Sequence, residues 1–375
     1  MSAWRWDLFC TVVDNFGDIG VCLRLARQLV HEHGAAVRLW VDDIESYRQL
    51  AGMQATEPVG LEVRHWQTDP VPNASADVVV VGFSCRLPDA YLAGMVARAQ
   101  RPVWINLEYL SAEAWVEGCH RLPSPHPRLP LVERFFYPGF TARTGGLIRE
   151  EGLLDAREVF RADVDAQAAS WRALQTPPPP PSALRVSMFS YETPAAPALL
   201  QAWAEGSRPV WCGVPSGRVW QSLTPWVGEV LAAGQVMRRG NLLLAPLAFV
   251  DQDGYDRLLW ACDLNIVRGE DSFVRAQWAG RPFVWHIYPQ DDAVHIDKLD
   301  AFLDRYEASM PAAQSSANRQ MQLAWNHGAQ AGPAWDQFAA ALPELTIHAE
   351  GWCRELAAQK GLAAALVDFA KSELK

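Results

Sequence analysis

The sequence predicts an α/β protein built from two doubly wound parallel sheets, on three observations. Apolar runs of strand length alternate with stretches of helical periodicity along the chain. Five consecutive prolines, Pro177 to Pro181, interrupt that rhythm near the middle, where neither a helix nor a central strand tolerates them. The 375 residues exceed what one hydrophobic core ordinarily organises.

The rhythm opens with an apolar strand over 8–13 and the polar, glycine-bearing turn Asp14-Asn15-Phe16-Gly17-Asp18-Ile19-Gly20. Val21, Leu25, Leu29 and Val30 then recur at helical spacing, with Asp18 at the N-cap or in the first turn. Strands follow over 36–41, 61–66, 78–82 and 103–106, with a helix over 89–99; Asp42-Asp43 reads as the cap of the helix after the second strand. The proline run reads as a stiff connector, which places the domain boundary there. Beyond it come strands over 184–189, 209–213, 264–267 and 282–287, with an extended segment over 241–249. Helices are expected over 195–204, 255–262, 271–279 and 293–306, and a mostly helical stretch over 355–366 has Gly361 as its weak point. The expected domains are 1–176 (first, Rossmann-like), 177–350 (second, Rossmann-like, with 177–181 as linker) and a C-terminal helix in 351–375 that crosses back to the first. The two halves share no sequence repeat. This is the architecture called GT-B: two Rossmann-like domains facing each other across a cleft, with substrates meeting at the carboxyl ends of the strands.

Half the residues are hydrophobic and a fifth are charged, the balance of a globular chain. A net charge of −10 argues against nucleic-acid binding, which needs Lys and Arg against phosphates, and leaves room for a basic protein partner. Seven scattered cysteines, an odd number without a CxxC pair, argue against a disulfide framework or a zinc site. No apolar run of signal-peptide or membrane-spanning length occurs, so a cytoplasmic location and no membrane partner are expected.

Three groups of residues bear on chemistry. In the first turn, Asp14 and Asp18 flank Gly17, which lets the backbone approach a ligand closely; two carboxylates suit general base work or the holding of a cation. The same residues also fit a turn and a helix cap. The first glycine of GxGxxG is missing, which speaks against a dinucleotide cofactor. In the second group, Arg268-Gly269-Glu270-Asp271-Ser272 passes from a strand into a helix. It offers free amides and the Arg268 guanidinium to a phosphate. A capped helix with acidic residues against its dipole explains the same pattern. The third group is aromatic and lies at strand ends: Phe189, Tyr191, Phe249, Tyr255 and Tyr288, with Gln252 among them. These suit a nucleobase and equally suit core packing. His286 and His295 lack partners at metal spacing.

Long blocks of this chain resemble the EarP family, the arginine rhamnosyltransferases of elongation factor P. They include Phe9-Cys10-Thr11-Val12-Val13-Asp14-Asn15-Phe16-Gly17-Asp18-Ile19-Gly20-Val21, Asn106-Leu107-Glu108-Tyr109-Leu110-Ser111-Ala112-Glu113 and Ile266-Val267-Arg268-Gly269-Glu270-Asp271-Ser272-Phe273-Val274-Arg275-Ala276-Gln277. Trp285-His286-Ile287-Tyr288-Pro289-Gln290-Asp291 follows in order. The chain departs from the family at Asp251, where Pro is usual, and at Gly254, where Asp is common.

The resemblance implies an inverting GT-B enzyme with dTDP-β-L-rhamnose as donor. Its acceptor would be one arginine in the N-terminal domain of elongation factor P, whose modified form serves ribosomes stalled on proline runs. It implies that Phe189, Tyr191, Gln252, Tyr255 and Tyr288 surround the thymidine, with Phe249 also among the donor-binding residues. Arg268, Asp271 and Ser272 would hold ribose or diphosphate, and Asn15 and Gly17 would join the donor set. Asp14, Asp18 and Glu270 would be the functional carboxylates, with Asp18 as base. Neither a metal nor another cofactor is expected. Two other readings stay open on the residues alone: a nucleotide-sugar transferase with a glycan or small-molecule acceptor, and a non-catalytic nucleotide-sugar binding protein.

Overall fold

The first apolar run forms β1 (Arg5–Cys10), buried at every residue but Arg5. It belongs to a computed structural model that describes residues 4–13, 16–52, 56–66, 76–290 and 293–374. The chain divides into two compact units, Met1–Glu151 with Leu356–Lys375, and Gly152–Glu355.

In the first unit β1 leads to α1 (Gly17–His33), β2 (Ala36–Val41), α2 (Ile44–Ala51), β3 (Leu61–His65) and β4 (Val78–Gly82). Then come α3 (Asp89–Ala97), β5 (Val103–Leu107), α4 (Val116–Cys119), β6 (Pro123–Pro125) and β7 (Val132–Phe136). Among the described residues the sheet has the order β3-β2-β1-β4-β5-β7-β6, parallel except for β6 against β7. β4 is Val-Val-Val-Val-Gly and buried throughout, as a strand covered on both faces must be. Asp43 caps α2, as its place after β2 predicts, accepting the amides of Glu45 and Ser46. The buried carboxylate of Asp7 is bound at 2.6 Å by Arg38 and also by the Tyr91 hydroxyl, so its charge is paired inside the core.

One carboxylate of this unit is not so well served. Burial, and secondarily Glu108, push the carboxyl of Glu133 on β7 up to about 7. A value above the unfolded ~4.3 means that ionisation costs stability as pH climbs from about 4 through 7. Glu133→Gln is therefore expected to raise stability at pH 8 by roughly 1–2 kcal/mol, allowing for partial exposure, and to change nothing at acid pH. Urea denaturation at the two pH values checks this.

The second unit begins with α5 (Leu153–Ala162) and α6 (Val164–Ala173). β8 (Leu184–Met188), α7 (Ala195–Glu205), β9 (Val210–Pro215), α8 (Trp220–Val227), β10 (Met237–Arg239) and β11 (Leu242–Leu247) follow. α9 (Gln252–Ala261), β12 (Leu264–Arg268), α10 (Asp271–Ala279), β13 (Phe283–His286), α11 (Val294–Tyr306), α12 (Ala312–Asn326) and α13 (Ala331–Ala357) complete it. Its described strands run in the order β10-β11-β9-β8-β12-β13, parallel except for β10.

The units part between Glu151 and Gly152 rather than at the proline run where the sequence reading divides the chain. The reason is packing. The Phe160 ring of α5 meets Trp260 at 5.8 Å, Trp171 of α6 meets Trp211 edge-on at 5.2 Å, and Arg161 donates to the Ala279 carbonyl at 2.6 Å. A stiff proline run constrains the backbone, but a domain limit is set by which core buries the flanking apolar faces. Here Pro177 to Pro181 link α6 to β8 inside one unit.

The last helix, α14 (Leu362–Glu373), belongs to the first unit. Gly361 stands at its N-cap, so the expected weak point separates two helices. The Leu362 amide donates to the Leu147 carbonyl at 2.9 Å, and Phe369 packs on Phe136 at 5.8 Å.

Candidate functional site

In the second unit the strand order reverses at β8, whose neighbours are β9 and β12. Ligands of open α/β sheets bind at the carboxyl ends of strands at such a switch point. Phe189 and Tyr191 leave β8 there, and Arg268 ends β12 beside them. The Arg268 guanidinium carbon lies 4.7 Å from the Phe189 ring centre and 4.6 Å from that of Tyr191. Arg268 is 5 % exposed, so this cation sits between two aromatic faces with little water around it.

The neighbouring backbone is shaped for close approach. Gly269 has φ +60°, a left-handed conformation that glycine adopts without strain. The Arg268 amide donates to Ser272 Oγ at 3.0 Å, and the Ser272 hydroxyl donates back to the Arg268 carbonyl. Trp285 Nε1 donates to the Gly269 carbonyl at 2.8 Å. α10 starts at once, and Glu270 at its N-cap position makes no side-chain capping hydrogen bond. Behind it a buried ion pair joins α10 to α9: Arg275 holds Asp256 through Nε at 2.9 Å and Nη2 at 2.6 Å. The two helix starts that carry Asp271, Ser272, Gln252 and Tyr255 are thereby held together.

Aromatic residues complete the cluster. Tyr255 is edge-on to Phe189 at 5.6 Å, and Tyr191 is edge-on to both Tyr288 at 5.5 Å and His286 at 5.2 Å. Burial pushes the Tyr255 phenol up, with the neighbouring Ser272 and Arg268 working the other way. Gln252 is buried in the first turn of α9, while Phe249 just before that helix and Tyr288 are exposed by 44 % and 42 %. The residues at 251 and 254 meet at the start of α9. Asp251 accepts the Gly254 amide at 2.8 Å, and a Cβ at 254 would stand 2.8 Å from the Val250 Cβ.

The anchor of this cluster is not marked as a binding residue by the sequence. Ser190 Oγ shares a 2.7 Å hydrogen bond with His286 Nδ1 and accepts Trp325 Nε1–H at 3.2 Å. Burial lowers the His286 pKa to about 3, with His295 and Arg268 adding to the effect, so the ring is neutral. Its signal in the sequence was a histidine at a strand end without metal-ligand spacing.

In the first unit the switch point lies between β1 and β4. Asp18 is in the first turn of α1, 3 % exposed, and its Oδ2 accepts the Val13 amide at 2.8 Å. It thus ties the loop that leaves β1 instead of capping the helix, whose N-cap is Phe16 without a side-chain cap. Gly17 opens the helix. Asp14 and Asn15 lie outside the described residues. A cavity of about 390 Å³ in this unit lies at the opposite end, lined by Trp6, Arg38 and Glu62. Among the described residues no helix is long and apolar enough to cross a membrane.

Comparison with known proteins follows the same lines. A family model described as Elongation-Factor P (EF-P) rhamnosyltransferase EarP matches residues 6–371. A protein-arginine rhamnosyltransferase of Pseudomonas putida is 50 % identical over 375 residues, covering 98 % of this chain and 99 % of the relative. The Pseudomonas aeruginosa protein of that name is 46 % identical, over 97 % and 98 % of the two chains. A solved structure concerned with EarP-mediated arginine glycosylation of translation elongation factor EF-P is 39 % identical, with a TM-score of 0.72 over 98 % of this chain and 99 % of that one. A Rickettsia africae glycosyltransferase, 8 % identical and covering all of both chains, shares the fold with a TM-score of 0.55. From near-complete coverage at these identities it follows that the chain belongs to the EarP family and is a glycosyltransferase of GT-B fold.

Proposed function

We propose that the protein transfers L-rhamnose from dTDP-β-L-rhamnose, with inversion, to one arginine of elongation factor P, so that the factor can serve ribosomes stalled on proline runs. The observation that carries the donor half is Arg268, fixed between Phe189 and Tyr191 at the start of α10. A held guanidinium and helix amides meet a diphosphate with charge-assisted bonds and stabilise it as it leaves. Phe249, Gln252, Tyr255 and Tyr288 surround the thymidine, and Asp271 and Ser272 take ribose or diphosphate. With those groups on the leaving side, the chemistry calls for no metal or other cofactor. The protein acts in the cytoplasm.

The acceptor half rests on family membership and on Asp18. A guanidinium is a weak nucleophile because its lone pairs are delocalised and its pKa exceeds about 12. A carboxylate need not deprotonate it beforehand. It binds the cation, orients one nitrogen and takes the proton as the C–N bond forms and the C–O bond to dTDP breaks. Asp18 is that base, aimed by the Val13 amide. Asp14 is assigned to support of the loop or the acceptor, and Glu270 orients the sugar or the acceptor.

Asp18→Asn tests the assignment, because asparagine can still accept the Val13 amide and keep the loop. With donor and factor saturating, kcat is expected to fall by roughly 10²–10⁴-fold. Mass spectrometry of elongation factor P for a deoxyhexose increment on one arginine reads the rate. A wild-type rate in the variant removes Asp18 as base, and no increment with the wild-type enzyme removes the function.

A further inference from the structure

Phe83 and Ser84, just past β4, have φ +55° and +58°. Two successive non-glycine residues in the left-handed region are costly, and a large ring there more so. Such strain persists only where the surroundings enforce it, and here they do. The Phe83 amide donates to the Leu107 carbonyl at 2.7 Å. The Ser84 amide donates to Asn106 Oδ1 at 3.2 Å, and Asn106 Nδ2 donates to Ser84 Oγ at 3.1 Å and to Glu108 Oε1 at 2.9 Å. The Ser84 hydroxyl donates to the same Glu108 oxygen at 3.1 Å.

This bracing has two products. The Phe83 ring stacks on Tyr109 with centres 4.5 Å apart and planes 22° apart, and Tyr109 is 41 % exposed. The Glu108 carboxylate, on the residue before Tyr109, is held by Ser84 and Asn106 through two hydrogen bonds to one oxygen. The location matters as well. β4 is paired with β1 across the switch point, and Cys85 Sγ donates to the Phe9 carbonyl at 3.3 Å. The turn at 83–85 therefore leaves the sheet next to the loop that Asp18 ties.

A flat aromatic face with a carboxylate at its edge is a recognition site for a guanidinium, which stacks through its plane and hydrogen-bonds through its rim. The net charge of −10 favours the approach of a basic loop. We propose that the Phe83–Tyr109 stack and Glu108 seat the guanidinium of the arginine that receives the sugar, Asn106 and Ser84 being positioning residues that fix the seat. This rests on the acceptor assigned above.

A double-mutant cycle tests it by binding, without donor and so without turnover. The dissociation constants of elongation factor P and of its acceptor Arg→Ala variant are measured by calorimetry on wild-type enzyme and on Tyr109→Ala. Removing the arginine is expected to weaken binding to wild type about tenfold and to Tyr109→Ala hardly at all. Tyr109→Phe, which keeps the ring, should bind as wild type does. Glu108→Gln should weaken binding and flatten its salt dependence. Unchanged dTDP binding and melting certify each fold, and Tyr109→Leu, bulky without a π face, replaces the alanine variant if that unfolds. Additive effects, or Tyr109→Ala binding the factor as wild type does, overturn the inference. If the wild-type enzyme puts no deoxyhexose on the factor, the acceptor reading fails and the seat with it. If it does and the cycle is additive, only the seat fails.

Discussion

Arg268→Ala is expected to lower kcat/KM for the sugar donor by roughly 10²–10³-fold, with a parallel loss of dTDP affinity. The size follows from the setting. This cation is nearly dry and lies at the switch point between two rings, so its interactions are little screened, and removal leaves a diphosphate facing a helix start without its counter-charge. Lysine should not rescue it. An ammonium is a strongly hydrated point charge, whereas a delocalised guanidinium is weakly hydrated and suits a site whose cation centre lies 4.7 and 4.6 Å from the Phe189 and Tyr191 ring centres. Calorimetry with dTDP, together with initial rates at saturating acceptor, separates binding from chemistry. An Arg268→Ala enzyme that binds dTDP as wild type does would sink the assignment.

Gly146→Ala carries the largest expected effect on stability. Gly146 has φ +74°, and a Cβ placed there would stand 2.1 Å from the Lys360 carbonyl oxygen. Neither atom can yield cheaply, because the chain is tied within two residues on each side: the Leu147 carbonyl accepts the Leu362 amide at 2.9 Å. Left-handed strain and a backbone collision together are expected to cost roughly 3–5 kcal/mol. The loss should fall on the first unit, so its transition should move to lower denaturant while that of the second stays, as multidomain chains permit. Hydrogen exchange should show α14 losing protection first. A melting profile like that of wild type would show that the contact relaxes at little cost.

Much of this fold is legible because its signals are local. α10 occupies 271–279, the expected bounds, since Gly269 ends the strand, acidic residues open the first turn and Gly280 closes the helix at φ +59°. The alternation of β8, α7, β9, β12 and β13 is likewise marked by Pro and Gly between apolar runs. The unreadable parts depend on distance along the chain. Ser190 meets His286 and Trp325, 96 and 135 residues away, and neither partner marks the other in sequence. The left-handed turn at Phe83-Ser84 has no glycine to announce it; it exists because Asn106 reaches it from the next strand. α13 runs through Pro343, which a local reading takes as a stop. For Asp18 the residue type left a cap and a functional carboxylate both open, and the Val13 contact rules out only the cap of its own helix.

The return of Leu356–Lys375 to the first unit has a consequence for how the protein is made. A ribosome releases the chain from the amino end, and domains ordinarily fold as they emerge. Here the first unit lacks its closing helix until more than two hundred further residues, all of the second unit, have been synthesised. Through that interval the faces that Leu362 and Phe369 will cover, beside Leu147 and Phe136, stay open to water and to other nascent chains. The amino-terminal half is thus translated first and finished last.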